Sequence, residues 1–482
     1  MPRMIKAGAS AIDITPRDSQ FLFGYPHVKR YSTGVHDPLW CSALFLDDGR
    51  TRVLFLANDL IGISKSSAAR IRAEIERAAG VPAGNIMVTA THTHSGPKTE
   101  DYLASDSDPV VPKIDPNYLR WMEERVVEAG VSACRSAQEA EIGLAVADGT
   151  GVGTNRRDPA GPSDPQVPVL VVRPLVVPPS GGLSRMPSRA HYKLVVPPSG
   201  GLSGMPSRAH YKLAVPPSDG QKPIAVMAVC SMHPTVLHED STLISGDFPG
   251  LSRQYLQKNL LGAGCPILLH TGPAGNQSPR HVVRGQTFAE AERLGERLGR
   301  AVEAAMAGIS FRSSAELACI GDRIDLPRKT FLSLPAAEAK LKAAVDRLAH
   351  LRQSGATSQQ VRTAECDWFG AEESVELARA AADGRLDEAY RFCLPAEIQA
   401  IRVGPWTFVG WPGEVFVEYA LAVKAAREGT FVISLANGGL HGYIVTPEAA
   451  AEGGYEASNS LFPPEAGKML VERTLRLLAR LP

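Results

Sequence analysis

Thr91-His92-Thr93-His94-Ser95-Gly96-Pro97 places two histidines one residue apart, just after the apolar run Ile86-Met87-Val88. That run reads as a buried strand, and Gly96-Pro97 ends regular structure. On extended backbone, residues i and i+2 share a face, so His92 and His94 are expected to look into one pocket. Neutral imidazole is the commonest metal ligand, and zinc readily takes two. The alternative is a pair of hydrogen-bonded loop histidines. The arrangement recurs where Ile224 to Cys230, another apolar run, leads into Ser231-Met232-His233-Pro234-Thr235. His233 thus stands at a strand end, where α/β folds gather their ligand sites. Glu414 follows Trp411-Pro412-Gly413 in the same way. It could be a third zinc ligand, or a first-turn glutamate on the helix expected over 415–428, where its charge suits the macrodipole.

Three further residues could act beside such a centre. Arg156, in the Gly/Pro-rich stretch 151–165, could polarise a carbonyl or bind a carboxylate, or be a solvated loop arginine. Ser278 lies in a Gly/Pro-rich loop, but without a paired base in its own motif it is a weak nucleophile. No Gly-x-Ser-x-Gly elbow is present there. Asp59 closes the strand before the His-x-His segment and could orient a metal-bound histidine or be a plain turn residue.

The elements that must position these residues can be read from periodicity. Residues 41–47 and 52–58 flank Asp48-Gly49-Arg50 as a hairpin. Residues 64–79 form an amphipathic helix with Gly80 as its stop. That helix joins two strands and predicts a βαβ crossover, hence a mixed or parallel sheet. Helices are also expected over 116–138, 248–261, 289–307 and from 464, with a helical hairpin over 334–351 and 359–383 packed on the outside. Residues 396–402 and 406–411 read as a hairpin through Gly404-Pro405, and 431–435 as the last core strand. The fold class expected is α/β: a mixed sheet with flanking helices, in one large domain over residues 1–482. Residues 175–193 and 194–212 are near-perfect copies that differ only at Arg185 and Gly204. Without apolar periodicity they read as a tandem duplication within a loop insertion over 175–220, and His191 and His210 inside it are left out of the site.

Bulk properties narrow the partners. Lys+Arg and Asp+Glu are both 51, which gives no electrostatic ground for binding nucleic acid or an anionic membrane surface. No apolar run is long enough to span a bilayer. The 7 cysteines are odd in number and scattered, which argues against a disulfide scaffold. With no apolar leader at the N-terminus, a cytoplasmic protein acting on a small molecule is expected.

Taken in order, the motifs resemble the neutral/alkaline ceramidase family. The resemblance rests on Thr91-His92-Thr93-His94-Ser95-Gly96-Pro97, Asn155-Arg156, His233-Pro234-Thr235, Gly275-Asn276-Gln277-Ser278-Pro279, Pro412-Gly413-Glu414, His441-Gly442-Tyr443-Ile444 and Tyr455-Glu456-Ala457. It implies one zinc ion held by His92, His233, Glu414 and Tyr443, with substrate-handling roles for His94, Arg156, Ser278 and Tyr455. The activity implied is zinc-dependent hydrolysis of an N-acyl amide, either ceramide-like or smaller. The alternatives are an esterase or lactonase with the same site, or a metal-stabilised scaffold without turnover. Two departures from the family stand out. Gly275-Asn276-Gln277 replaces an acidic loop, and the chain is expected to lack the C-terminal β-sandwich domain that ceramide-cleaving members carry.

Overall fold

The structure is a computed structural model, and it describes residues 4–25, 27–103, 108–175 and 222–481. The duplicated loop, with His191 and His210, lies almost wholly outside the described residues.

The larger sheet has nine strands. Its main path runs from Ile267–Thr271 through Ala225–Cys230, Gln166–Pro174, Gln138–Asp148, Ile5–Asp13, Trp40–Asp47 and Arg52–Asn58 to Ile86–Ala90. The outermost pair at each end is parallel and the pairs between are antiparallel, so the sheet is mixed. Its strands alternate with period two and are buried on both faces. Along Trp40–Asp47, Cys41, Ala43 and Phe45 join one core while Leu44 and Leu46 join another. Along Gln166–Pro174, Val167, Val169 and Val171 face one way and Leu170 and Val172 the other. Such doubly apolar strands require a layer on each side.

On one side the layer is helical. Lys65–Ala79 and Pro116–Arg135 cover one half of the sheet; Asp247–Leu256 and Phe288–Met306 cover the other. The first is the expected crossover helix. Ser64 caps it by accepting from Ser67 N, and Gly80 ends it at φ 69°. On the other side lies a four-stranded sheet of Leu317–Ile324, Ala396–Val403, Trp406–Gly410 and Thr430–Ile433. Phe408 meets Phe55 of the larger sheet edge-on at 5.7 Å between ring centroids. Helices Val417–Ala426 and Glu465–Ala479 cover its outer face. The layers therefore run helix, sheet, sheet, helix.

The two ends of the larger sheet do not lie far apart. Thr89 Oγ1 is 2.7 Å from His270 Nδ1, and Thr271 Oγ1 donates to Thr91 O at 2.6 Å. The sheet curls until its edge strands touch through side chains. The ends of Ile86–Ala90 and Ala225–Cys230, and so their histidines, are brought together.

One expectation is corrected here. The helical hairpin Leu334–Gln353 and Ser358–Ala382 does not merely pack on the outside. Leu341 from its first helix and Phe369, Glu372, Glu373 and Val375 from its second line a cavity that His92 and His94 also line.

Candidate metal centre and active site

The Ile86–Ala90 strand ends before the histidines, so His92 and His94 do not share a face of extended backbone. His92 instead takes φ 68°, the left-handed region. Its amide still donates to Leu60 O at 2.8 Å, which anchors the turn to the neighbouring strand's loop. The two rings converge by this turn, with centroids 4.9 Å apart. His233 joins them at 4.8 Å from His92 and 5.9 Å from His94.

The orientation of the imidazoles carries chemical meaning. His92 Nδ1 is 2.6 Å from Ile61 O, and His233 Nδ1 is 2.6 Å from Ala274 O. A carbonyl oxygen only accepts, so both Nδ1 atoms carry the proton and both Nε2 atoms are left to face the interior. Both face one oxygen: Glu414 Oε2 lies 2.8 Å from His233 Nε2 and 3.3 Å from His92 Nε2. Two lone pairs aimed at a carboxylate repel unless a positive charge lies between them. Backbone carbonyls that lock the tautomer of converging histidines are the usual outer support of a metal site. The donor set thus fits a divalent ion. His92, His94 and His233 each offer a nitrogen within 4.8 Å of the others, and that group could hold a metal.

With the protein's own groups alone, His92 and Glu414 favour each other's charged forms: burial would lower His92, but Glu414 outweighs it and raises it. Burial alone would raise the Glu414 carboxyl, but His92 and His233 outweigh it and hold it well below the usual carboxylate range. Burial and the nearby Arg156 push His233 down to about 4. Burial, reinforced by His92 and His233, keeps His94 neutral far below its ordinary range. Both ring nitrogens of His94 are buried without a hydrogen-bond partner among the described residues.

Glu414 is not a helix-capping residue: the following helix starts at Val417, with Phe416 at its N-cap. Glu414 and Val415 form a short parallel ladder with Tyr443 and Ile444, in the register Glu414↔Tyr443. Gly442, at φ 73°, makes the entry to that ladder possible. Arg156 is placed by a second short ladder, in which Thr154–Asn155 pairs with Gln277–Ser278. Its Nε donates to Glu456 Oε1 at 2.8 Å, and its guanidinium lies over the rings of Tyr443 and Tyr455 at 5.2 and 6.0 Å. Tyr455 meets Tyr443 edge-on at 5.5 Å.

His92, His94, Glu414, Tyr443 and Tyr455 all line one cavity of about 440 Å³. Ser278 does not. Its hydroxyl accepts from Arg280 N and caps the turn Pro279–His281. Asp59 does not orient a histidine. It is held by Nη1 and Nη2 of buried Arg253, at 2.7 and 2.8 Å, and accepts from Trp40 N. Ile61 O takes the orienting part instead.

Further residues stand at the wall or behind it, and of these only His441 belongs to a motif read from the sequence. Glu100 is fully buried, and burial pushes its carboxyl up to about 7 while Tyr102 donates to it at 2.5 Å. His441 packs edge-on against Tyr102 at 5.1 Å. His27 reaches the helix Ser358–Ala382, which roofs the cavity, through Glu372 at 2.5 Å. Glu100, Tyr102 and His27 follow no metal-ligand spacing, and only the burial of Glu100 and the contacts of the other two across the chain single them out.

Comparison with known proteins bears on the family likeness over part of the chain. Residues 5–158 match the family model for neutral/alkaline non-lysosomal ceramidase, N-terminal. Of the motifs that carry the resemblance, Thr91–Pro97 and Asn155-Arg156 fall within those residues and the others lie beyond them. The whole chain superposes on the crystal structure of neutral ceramidase from Pseudomonas aeruginosa with a TM-score of 0.69 and 18% identity, covering 76% of that chain. A structure of a ceramidase complexed with C2 gives 0.68 and 18%, again over 100% of this chain and 76% of the other. The fold is therefore that of neutral ceramidase. No helix among the described residues is long and apolar enough to cross a membrane.

Proposed function

We propose that this ceramidase-like chain is a zinc-dependent hydrolase of N-acyl amides, acting on ceramide or on a smaller amide of the same kind. The observation that carries this reading is the pair of backbone-locked imidazoles, His92 and His233, facing the Glu414 carboxylate at the wall of the cavity. His92, His233, Glu414 and Tyr443 would hold the ion. When bound, it supplies Lewis acidity for the amide carbonyl and activates water.

The chain's own residues do the rest. His94 is neutral and unpartnered at the cavity wall, so its free nitrogen can accept a proton from the attacking water and pass it to the departing amine. The Arg156 guanidinium lies over the Tyr443 ring at 5.2 Å, and its positive charge favours an oxyanion developing beside that residue. Tyr455 packs against Tyr443 and flanks the same wall. Phe23, Ile61, Val111, Leu341 and Phe369 provide apolar surface for an acyl chain. Ser278, committed to its turn, is left out of the reaction.

The test joins metal analysis to turnover of ceramide, a short N-acyl amide and its matched ester, before and after chelation. About one zinc per chain and chelator-sensitive amide cleavage are expected. His92→Ala and Glu414→Ala should lose the metal. His94→Ala should keep it while turnover falls by about 10²–10⁴. Metal lost from His94→Ala would make His94 a ligand. Retained metal and full activity in the other two variants would remove those ligands, and preferred cleavage of the ester would favour the esterase.

A further inference from the structure

A second cavity of about 450 Å³ adjoins the first and shares Tyr455 with it. Five cationic side chains line it: Arg156, Arg157, Arg280, Lys340 and Arg347. Three carboxylates stand among them, and each is already engaged. Glu456 accepts from Arg156 Nε at 2.8 Å and Arg157 Nη1 at 2.9 Å. Glu452 accepts from Arg157 Nη2 at 2.8 Å, and Asp367 from Arg347 Nη1 at 2.8 Å.

Among the described residues Arg280 and Lys340 make no ion pair at contact distance, although Arg280 acts on Glu456 and Asp367 on Lys340 from further away. Arg280 Nη2 donates only to Cys366 Sγ, at 3.3 Å. Lys340 Nζ donates to the hydroxyls of Ser458 at 2.5 Å and Ser374 at 3.3 Å. A further donor, Arg156 Nη2, is buried and unpartnered, on a side chain only 7% exposed. A buried guanidinium nitrogen without an acceptor is costly, and it persists where a ligand oxygen completes it. Two cations with neutral partners and one orphaned guanidinium N–H, gathered around one hollow, form a receptor for an anion. The planar fork of arginine suits the paired oxygens of a carboxylate or phosphate.

We propose that this second cavity is an oxyanion subsite that takes a carboxylate or phosphate group. The group could be a free anion, or the charged end of an amide substrate whose reacting bond lies in the first cavity. Only the second source rests on the hydrolase reading.

The test uses the full-length protein with its metal content unchanged. Inorganic phosphate is titrated calorimetrically into the wild type, Arg280→Ala and Lys340→Met. Saturable binding is expected, weakened at least tenfold in both variants, with Arg280→Lys recovering part of it. Melting without phosphate checks that each variant is folded. Hydrolysis of two short N-acyl amides, identical except for a terminal carboxylate or carboxamide, identifies the source. A KM at least tenfold lower for the carboxylate, erased in Arg280→Ala with kcat kept, assigns the subsite to the substrate's end. Equal KM values, with phosphate binding still weakened in the variants, assign it to a free anion. A chain that hydrolyses neither amide is judged by the phosphate arm alone. Absence of saturable phosphate binding in folded wild type together with equal KM values, or binding of unchanged affinity in both variants, which would put the anion elsewhere, overturns the subsite.

Discussion

Asp59 shows how little a residue type says without its partner. A carboxylate at a strand end suits a metal site, a turn or an ion pair equally well from sequence. Its bidentate pairing with Arg253, 194 residues away, settles the matter. Both side chains are buried, so removing one leaves the other as an uncompensated interior charge. Asp59→Ala should cost about 3–5 kcal/mol in urea unfolding. A loss below about 1 kcal/mol would show that water reaches Arg253. His92, His94, His233 and Glu414 were legible because their chemistry is carried by side-chain type beside an apolar run. Glu100 and His27 were not, because their roles come from burial and from contacts distant in the chain.

At the scale of elements, two short features position the site. The Glu414–Val415 and Tyr443–Ile444 ladder depends on Gly442, where an added Cβ would lie 2.1 Å from Asn459 O at positive φ. Gly442→Ala should therefore destabilise the fold by roughly 1–3 kcal/mol and shift Tyr443 out of register. Reduced metal content in the folded variant would report the shift; unchanged content and stability would show that the loop yields. The second feature is the roof helix Ser358–Ala382, tied down by Glu372 to His27. Burial alone would lower the His27 pKa, but Glu372 and Asp108 outweigh it and raise it. A raised pKa means the contact is fully present below the unfolded histidine value and fades as pH rises through the folded one. Hydrogen exchange in residues 358–382 should speed up across that rise, by less than about tenfold for a partly exposed pair. His27→Gln should remove the pH dependence, and exchange that stays flat in the wild type would dissociate this pair from the roof's closure.

Over the whole molecule, the proposed metal ligands join four segments of both sheets' surroundings. His233 and Glu414 are 181 residues apart in the chain. An ion held by them binds the native state and not the unfolded one, so it should stabilise the fold by about 4 kcal/mol at a thousandfold excess over its dissociation constant. Differential scanning calorimetry should show a melting temperature several degrees higher with zinc, and no such shift for His92→Ala. An equal shift in that variant would place the stabilising ion elsewhere. By itself the sequence determined many of the strands, though not Gln138–Asp148 or Leu317–Ile324, and with them the crossover helix, the helix stops and the residue types at several strand ends. These are local properties, written in period-two and helical spacing, caps and breakers within a few residues. Only the tertiary structure decided that the nine-stranded sheet curls until its edges meet, that His92 reaches the site by a left-handed turn, that the helical hairpin roofs the cavity and that Asp59 serves Arg253. Those outcomes depend on how distant surfaces pack, and no short window of residues records that.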